Sequence, residues 1–222
     1  MKKMLTITIA LTMLMFIVAG VFIHFMPDPI AIHFNAEGVA DGFGSPLTYF
    51  ITPAVSTFIA CILIIGTAIS SARGLKKDHL SLSYITVGTM ILFNIINLCL
   101  CINAYINGQP DAHVRPDFMI RIIFVVVGIY QTFLSHWLTM ISYQASSAKK
   151  MLTEEQYTSA MQFVKKLGMW VGGIVSVTAL FVPLMPESIV VVSLFVIWSI
   201  VSVLKITKNF KKSSEQPSEQ QT

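Results

Sequence analysis

Residues 4–25 read MLTITIALTMLMFIVAGVFIHF, a stretch that contains no Asp, Glu, Lys or Arg. A helix that crosses a bilayer needs about 20 mostly apolar residues, so this stretch is long enough to span. It is followed at once by MPDPIAIHFNAEGVADGFGSP (residues 26–46), which is polar and glycine-rich, and then by a second apolar run. This order predicts a membrane protein with an ordered loop between its first two helices.

The composition of the whole chain indicates the same class. Of 222 residues, 55% are hydrophobic and only 12% are charged, and the mean hydropathy is +0.73. A single water-soluble core does not need so much apolar surface. The charge-poor stretches predict an all-α integral membrane protein with six transmembrane helices. These predicted spans are residues 4–25, 49–71, 80–106, 118–143, 167–185 and 188–204.

Lysine and arginine residues set the predicted orientation. With six spans, only Arg115 and Arg121 fall on or near one side of the membrane, and the other cations fall on the opposite side. Because cytoplasmic loops carry the excess of Lys and Arg, we expect a multi-pass protein of the cell membrane with both termini in the cytoplasm. The loop of residues 27–48 is then extracytoplasmic. The cytoplasmic cations are Lys2, Lys3, Arg73, Lys76, Lys77, Lys149, Lys150, Lys165, Lys166, Lys205, Lys208, Lys211 and Lys212.

The chain divides into three predicted regions. Residues 1–71 form an N-terminal domain of helix, loop and helix, residues 72–204 form a four-helix membrane region, and residues 205–222 form a disordered cytoplasmic tail. The first helix is expected to remain as an uncleaved anchor, because it is too long for a signal-peptide core and lacks a cleavage site. The net charge of +4 reflects topology and indicates no nucleic-acid partner, because the cations are spread over separate juxtamembrane positions.

The sequence has no recognisable catalytic or metal-binding spacing. Cys61, Cys99 and Cys101 all lie in predicted spans, where they are expected to pack as small apolar side chains. Intramembrane hydrolysis would need an aspartate pair, a serine beside a base or a metal motif within the spans. We therefore expect no cofactor, no metal and no enzymatic activity, and the lipid bilayer as the first partner.

Turn-forming residues indicate that the loop folds. Pro27 and Pro29 end the first helix, residues 31–34 alternate as a short extended segment does, and Asn35 can form an Asx-turn. The chain is expected to reverse through positive φ at Gly38, Gly42 and Gly44.

Two interpretations of the loop's polar side chains are open. The favoured one is that they satisfy the main chain of the turns at the membrane surface. The alternative is a metal or proton site, although the segment lacks the usual helical ligand spacing. Such a site would gather His24, Asp28, His33, Asn35, Glu37 and Asp41.

The loop and the following LTYFITPAV (residues 47–55) resemble the N-terminal domain of SdpI-type membrane proteins. That domain has a Pro-acid pair, an extended stretch ending in His-x-Asn, and then Gly, Asp and Gly-Ser before the second helix. The residues that match in order are His33, Asn35, Gly38, Asp41, Gly44 and Ser45. The resemblance is strong over about residues 5–70. It implies a binding loop that comprises Asp28, His33, Asn35, Gly38, Asp41, Gly42, Gly44 and Ser45.

The resemblance implies immunity to a secreted peptide toxin, achieved by binding rather than catalysis. The best-known member also sequesters a soluble repressor at the membrane, and the resemblance implies this as a second possible role. Many SdpI-type proteins carry a second motif with an Arg-Thr-Pro-Trp core before the fifth span. In this chain the corresponding segment is SSAKKMLTEEQYTSAMQFVKKLGMWVGG (residues 146–173), which lacks that core. The residues that correspond to the family after the missing core are Thr153, Glu154, Glu155 and Phe163.

The segment before the fifth span has the signature of a helix. Thr153 is a candidate N-cap, and Glu154 and Glu155 in the first turn suit the helix dipole. A modest apolar face is formed by Tyr157, Met161, Val164 and Gly168. The favoured interpretation is a surface helix that continues into the fifth span. The alternative is a docking site for a soluble cytoplasmic regulator at the two glutamates.

Polar residues within the spans are the remaining candidates, because such residues are costly in hydrocarbon. Asn94 and Asn97 lie in the third span, and Gln131 and His136 lie in the fourth. Hydrogen bonds between helices are the favoured role, and a small-solute transport path is the alternative.

Overall fold

The computed structural model describes residues 2–34, 40–73, 76–107, 117–139, 153–181, 190–191 and 193–205. Two short strands and a 3₁₀ helix (Pro46–Phe50) lie between the first two α-helices. The strands are β1 (Ile30–Phe34) and β2 (Ala40–Gly44). The α-helices are α1 (Lys2–Phe25), α2 (Ile51–Ala72), α3 (Lys76–Asn107), α4 (Asp117–Leu138), α5 (Glu154–Phe181) and α6 (Ser193–Lys205).

Within the part of the chain that the structure describes, five helical segments are long and apolar enough to cross a membrane. The chain is therefore a helical, multi-pass membrane protein, which confirms the class predicted from the composition. The spans are Lys2–Phe25, Pro46–Ala72, Leu80–Ile106, Phe118–Leu138 and Glu154–Phe181. Within the described residues, α6 is shorter than a full span. Residues 182–189, which include the end of the fifth predicted span and the start of the sixth, lie outside them. The predicted loop at 107–117 (apart from its end residues) and the tail beyond residue 205 also lie outside the described part.

The predicted surface helix and fifth span form one continuous helix, α5. The reason is a single buried stripe at helical spacing that runs through both segments. Ala160 lies on this stripe, whereas Met161, which was expected on the apolar face, is half-buried. The stripe consists of Tyr157, Ala160, Val164, Gly168, Val171, Gly172, Val175 and Ala179.

Helices α1, α2 and α3 form one packed group, in which α3 lies along both α1 and α2. Its core contains the buried side chains of Met15, Ala60 and Met90. The Ser56 hydroxyl is fully buried beside this core and donates to the Pro53 carbonyl oxygen at 2.9 Å. The polar side chain is thus satisfied inside its own helix, as hydrocarbon surroundings require.

Helices α4, α5 and α6 form a second group, in which the α4–α5 contact is the most extensive. Val171, Val175 and Val191 are buried together, with Trp198 of α6 packed against them. At one end of the pair, Arg121 Nη1 of α4 donates to the Ala179 carbonyl oxygen at 2.8 Å. The last carbonyls of a helix lack partners within it, so this guanidinium stabilises the end of α5.

Candidate functional site

The segment between α1 and α2 folds into a β-hairpin that is anchored on the helices. Ile30 is fully buried and packs with Ala19 of α1 and with Cys101 and Ala104 of α3. The expected extended segment at residues 31–34 is therefore the strand β1, and its first residue fixes the strand to the end of the bundle. We call this end the hairpin end, and the end where α1 begins the opposite end.

The two strands pair antiparallel with an irregular register. Ile30 pairs with Gly44, Ala31 with Phe43, His33 with Gly42 and Phe34 with Ala40, and the register shifts on either side of His33. Ile32 has no direct partner and lies in a bulge. Bulges redirect neighbouring side chains, and here the side chain of His33 is exposed although Ala31 is buried.

His33 and Asp41, both predicted site residues, are brought together by the pairing of β1 and β2. Their contact is a hydrogen bond between His33 Nδ1 and Asp41 Oδ1. The side chains are 71% and 44% exposed, so the pair faces outward from the hairpin. A carboxylate bonded to one ring nitrogen orients the imidazole, so that the other nitrogen, Nε2, can bond to a ligand or partner. The arrangement is a preoriented polar contact point on the exposed face of the hairpin.

The hairpin glycines play a different role from the expected one. Gly42 and Gly44 do not have positive φ, so the prediction that they reverse the chain is wrong. Instead, they make room across the strands: a Cβ on Gly42 would lie 2.9 Å from His33 Cβ, and one on Gly44 would lie 2.8 Å from Ile32 Cδ1. Close approach of neighbouring side chains is a common reason for glycine in a strand.

Ser45 has a structural role at the end of the hairpin. Its Oγ accepts from the Leu47 N–H at 3.3 Å, and its carbonyl accepts from Thr48, which makes Ser45 the N-cap of the 3₁₀ helix that leads into α2. Asp28 is exposed beside Pro29. The predicted site residues Asn35 and Gly38 lie outside the described residues, as does Glu37.

Apolar side chains that were not predicted from the sequence accompany the polar pair. Ile32 and Phe43 project from the two strands and are 48% and 61% exposed. Leu47 of the 3₁₀ helix is exposed as well. In β1 the bulge breaks the alternation and exposes Ile32 beside His33, which the sequence does not show. β2 (ADGFG) contains two glycines and was not recognisable as a strand. Among the described residues, no group of three or more His, Cys, Asp or Glu could hold a metal ion.

The asparagines of α3 lie inside the first helical group. Asn94 Nδ2 donates to the Leu11 carbonyl oxygen at 3.1 Å and to that of Met90 at 2.8 Å. Asn97 Nδ2 donates to the Met15 carbonyl oxygen at 3.2 Å, and its side chain is 1% exposed. Both amides therefore join α3 to the main chain of α1.

The polar residues of α4 lie on the other helical group. Gln131 is buried, and its Nε2 donates to Ser135 Oγ at 3.4 Å. His136 is half-buried. Its imidazole ring and the Trp137 ring make an edge-to-face contact. The structure thus separates these two candidates from the asparagines of α3, and within the described residues it does not join the four into one site.

The first turn of α5 is closed by a reciprocal cap. Gln156 N–H donates to Thr153 Oγ1 at 3.3 Å, and Thr153 N–H donates to Gln156 Oε1 at 3.1 Å. Thr153 is therefore the N-cap, and Gln156 completes a capping box that the sequence analysis missed. Glu154 and Glu155 are exposed in the same first turn, where their negative charges interact favourably with the positive end of the helix dipole.

The segment of the chain that contains the hairpin matches a known protein family. Residues 10–57 match the family of a domain of unknown function, DUF1648. This domain is found in SdpI-like proteins. In this chain the DUF1648 match covers most of α1, the whole hairpin, the 3₁₀ helix and the start of α2. No curated protein and no solved structure matches the chain.

Proposed function

We propose that this protein protects the cell that carries it against a secreted peptide toxin, which it binds at the hairpin of residues 30–44. The observation that carries the proposal is the outward His33–Asp41 pair on a hairpin anchored by buried Ile30. The resemblance of the loop to SdpI-type proteins supports the same function, and the DUF1648 match includes every described residue of the hairpin.

The chemistry of the hairpin fits an amphipathic peptide with cationic residues. Residues 26–46 contain Asp28, Glu37 and Asp41 but no Lys or Arg, although the whole chain has a net charge of +4. Ile32 and Phe43 add apolar surface beside this acidic charge. Opposite charge speeds encounter, and desolvated aromatic side chains supply much of the binding energy at interfaces.

The main chain offers a second means of recognition. β1 and β2 form a two-stranded sheet, so among the described residues each strand has one edge without a strand partner. β1 lies against α3, which leaves β2 as the outer strand. An extended peptide can add to such an edge through main-chain hydrogen bonds, with side chains of the host strand providing selectivity.

The proposed orientation follows the distribution of Lys and Arg. With a sixth span around α6 and both termini in the cytoplasm, the hairpin is extracytoplasmic and meets a secreted peptide directly. The first turn of α5 is then cytoplasmic, and Glu154 and Glu155 are accessible to a soluble regulator. We rank that signalling role second, because the capping box at Thr153 already explains the acidic first turn.

A transport role ranks lower. Asn97, Gln131 and His136 would be the natural polar contacts for a solute. Asn97 and Gln131 make hydrogen bonds within the helix packing, and the half-buried His136 packs against the Trp137 ring. The hairpin offers exposed polar and apolar groups together, which these intramembrane residues do not.

The test is survival of a sensitive host that expresses the protein and is challenged with a panel of membrane-active peptides. We expect protection that is lost in His33→Ala and in Asp41→Ala at unchanged membrane abundance. His24→Ala is the matched control, because His24 is also an exposed histidine near the hairpin, and its ring meets the Phe25 ring rather than Asp41. Protection that survives both hairpin substitutions would show that the toxin binds elsewhere, and no protection against any peptide would contradict the function.

A further inference from the structure

A cavity of about 120 Å³ lies between α1, α2 and α3 at the opposite end of the bundle. Leu5 of α1 and Ala68 of α2 line it and are exposed, so they form its rim. Its floor is formed by four buried hydroxyl residues, Thr8, Thr67, Ser83 and Thr86. The cavity therefore opens sideways between α1 and α2, with α3 behind it.

The floor of the cavity is apolar although four of its residues carry hydroxyl groups. Thr8 Oγ1 donates to the Met4 carbonyl oxygen at 3.0 Å, Thr67 to that of Leu63 at 2.8 Å, and Thr86 to that of Leu82 at 2.8 Å. These hydroxyl protons are used within their own helices, which is how polar side chains are satisfied in lipid. The floor consequently needs no polar ligand.

Three cations lie at the same end of the bundle as the cavity. Lys2 and Lys3 begin α1, immediately before the residues that line the cavity, and Arg73 is the C-cap of α2 at the same end. All three side chains are exposed, and among the described residues none forms an ion pair with a carboxylate. Thr8 lies five positions after Lys3, which corresponds to about 8 Å along the helix axis.

The outer surface around the mouth is apolar. Ile9 on α1 and Ile65 and Ile69 on α2 are exposed, and both helices are spans. The cavity thus opens onto an apolar outer surface, and the positive charge lies one to two helical turns closer to the helix ends.

We propose that this cavity and its cations bind one anionic phospholipid. Its phosphate pairs with Lys2, Lys3 and Arg73, and the first part of one acyl chain occupies the cavity over Thr8 and Thr67. Basic pockets between membrane helices favour anionic head groups, and here the adjacent hydrocarbon-lined cavity selects a lipid over a free phosphate. The site is at the other end of the bundle from the hairpin and is independent of the proposed function.

The first experiment measures lipids retained by the purified protein in native mass spectrometry from micelles that contain equal phosphatidylglycerol and phosphatidylcholine. We expect preferential retention of phosphatidylglycerol, with a loss of about fivefold per neutralised cation in Lys2→Gln, Lys3→Gln and Arg73→Gln. The matched control is a single variant that combines Lys165→Gln, Lys166→Gln and Lys205→Gln and so neutralises three cations elsewhere. Equal retention of both lipids, or an equal loss in this control, would overturn the proposal in favour of nonspecific attraction.

The second experiment fills the cavity while leaving the cations in place. Leu5→Trp and Ala68→Phe each enlarge an exposed rim residue, so neither changes a buried core position, and they lie on different helices. We expect both to lower phosphatidylglycerol retention several-fold at unchanged helical content. Undiminished retention in both variants would show that the acyl chain is not in the cavity and would overturn the proposal.

Discussion

Gly128 of α4 and Gly172 of α5 lie in direct main-chain contact. A Cβ added to Gly128 would stand 2.6 Å from the carbonyl oxygen of Gly172, and one added to Gly172 would stand 2.5 Å from that of Gly128. The neighbouring Ser176 donates from Oγ to the Val125 carbonyl oxygen at 3.2 Å. In lipid the hydrophobic effect does not drive helices together, so close packing of small residues takes its place.

Replacing Gly172 by alanine should separate α4 from α5. The added methyl group meets main chain, which cannot move aside, and we expect the free energy of unfolding to fall by about 1–3 kcal/mol. Gly173→Ala is the matched control, because apart from the neighbouring main chain of its own helix no described atom lies within 4 Å of the position of its Cβ. Unfolding in mixed micelles measures both variants, and equal stability of the two would contradict the contact.

The asparagines of α3 should differ in their contribution to stability. Asn94→Leu removes two donated hydrogen bonds, and we expect a loss of about 1 kcal/mol. Asn97→Leu removes one hydrogen bond but also a buried Oδ1 that has no hydrogen-bond partner among the described residues. Because an unsatisfied buried acceptor is itself unfavourable, the loss should be smaller for Asn97→Leu. A larger loss for Asn97→Leu in the same unfolding measurement would contradict this order.

The two hairpin glycines should also respond differently to alanine. In Gly42→Ala the new methyl group meets His33 Cβ, which is fixed to the main chain, so His33 must move relative to Asp41. In Gly44→Ala it meets Ile32 Cδ1, the end of a flexible side chain that can rotate away. Ring ¹⁵N signals of labelled histidine should shift for His33 in Gly42→Ala and stay near wild type in Gly44→Ala. Equal shifts in both variants would show that the hairpin gives way as a whole.

The capping box should stabilise the first turn of α5. Thr153→Ala leaves the N–H of Gln156 without its acceptor, and we expect a local loss of about 1 kcal/mol. Thr158→Ala is the control, because Thr158 is exposed inside the same helix. Amide hydrogen exchange of residues 154–157 should accelerate about fivefold in Thr153→Ala and remain unchanged in the control. Unchanged exchange in Thr153→Ala would mean that α5 does not depend on its cap.

The sequence alone determined the membrane class, the positions of most spans and the folded loop between α1 and α2. Apolar length and the two prolines are local properties, and they act wherever the chain later packs. For the same reason the N-cap at Thr153 was predictable from its position and from the acidic turn that follows it.

Only the tertiary structure decided which residues of the hairpin meet. His33 and Asp41 are eight positions apart, and the antiparallel pairing of β1 with β2, which the sequence does not show, brings them together. The roles of Gly42, Gly44, Gly128 and Gly172 were equally hidden, because a glycine in the sequence does not reveal whether it supplies backbone freedom or space. Whether a glycine is needed for space depends on which segment packs against it. α5 packs against α4, and β1 against β2, only once the chain has folded.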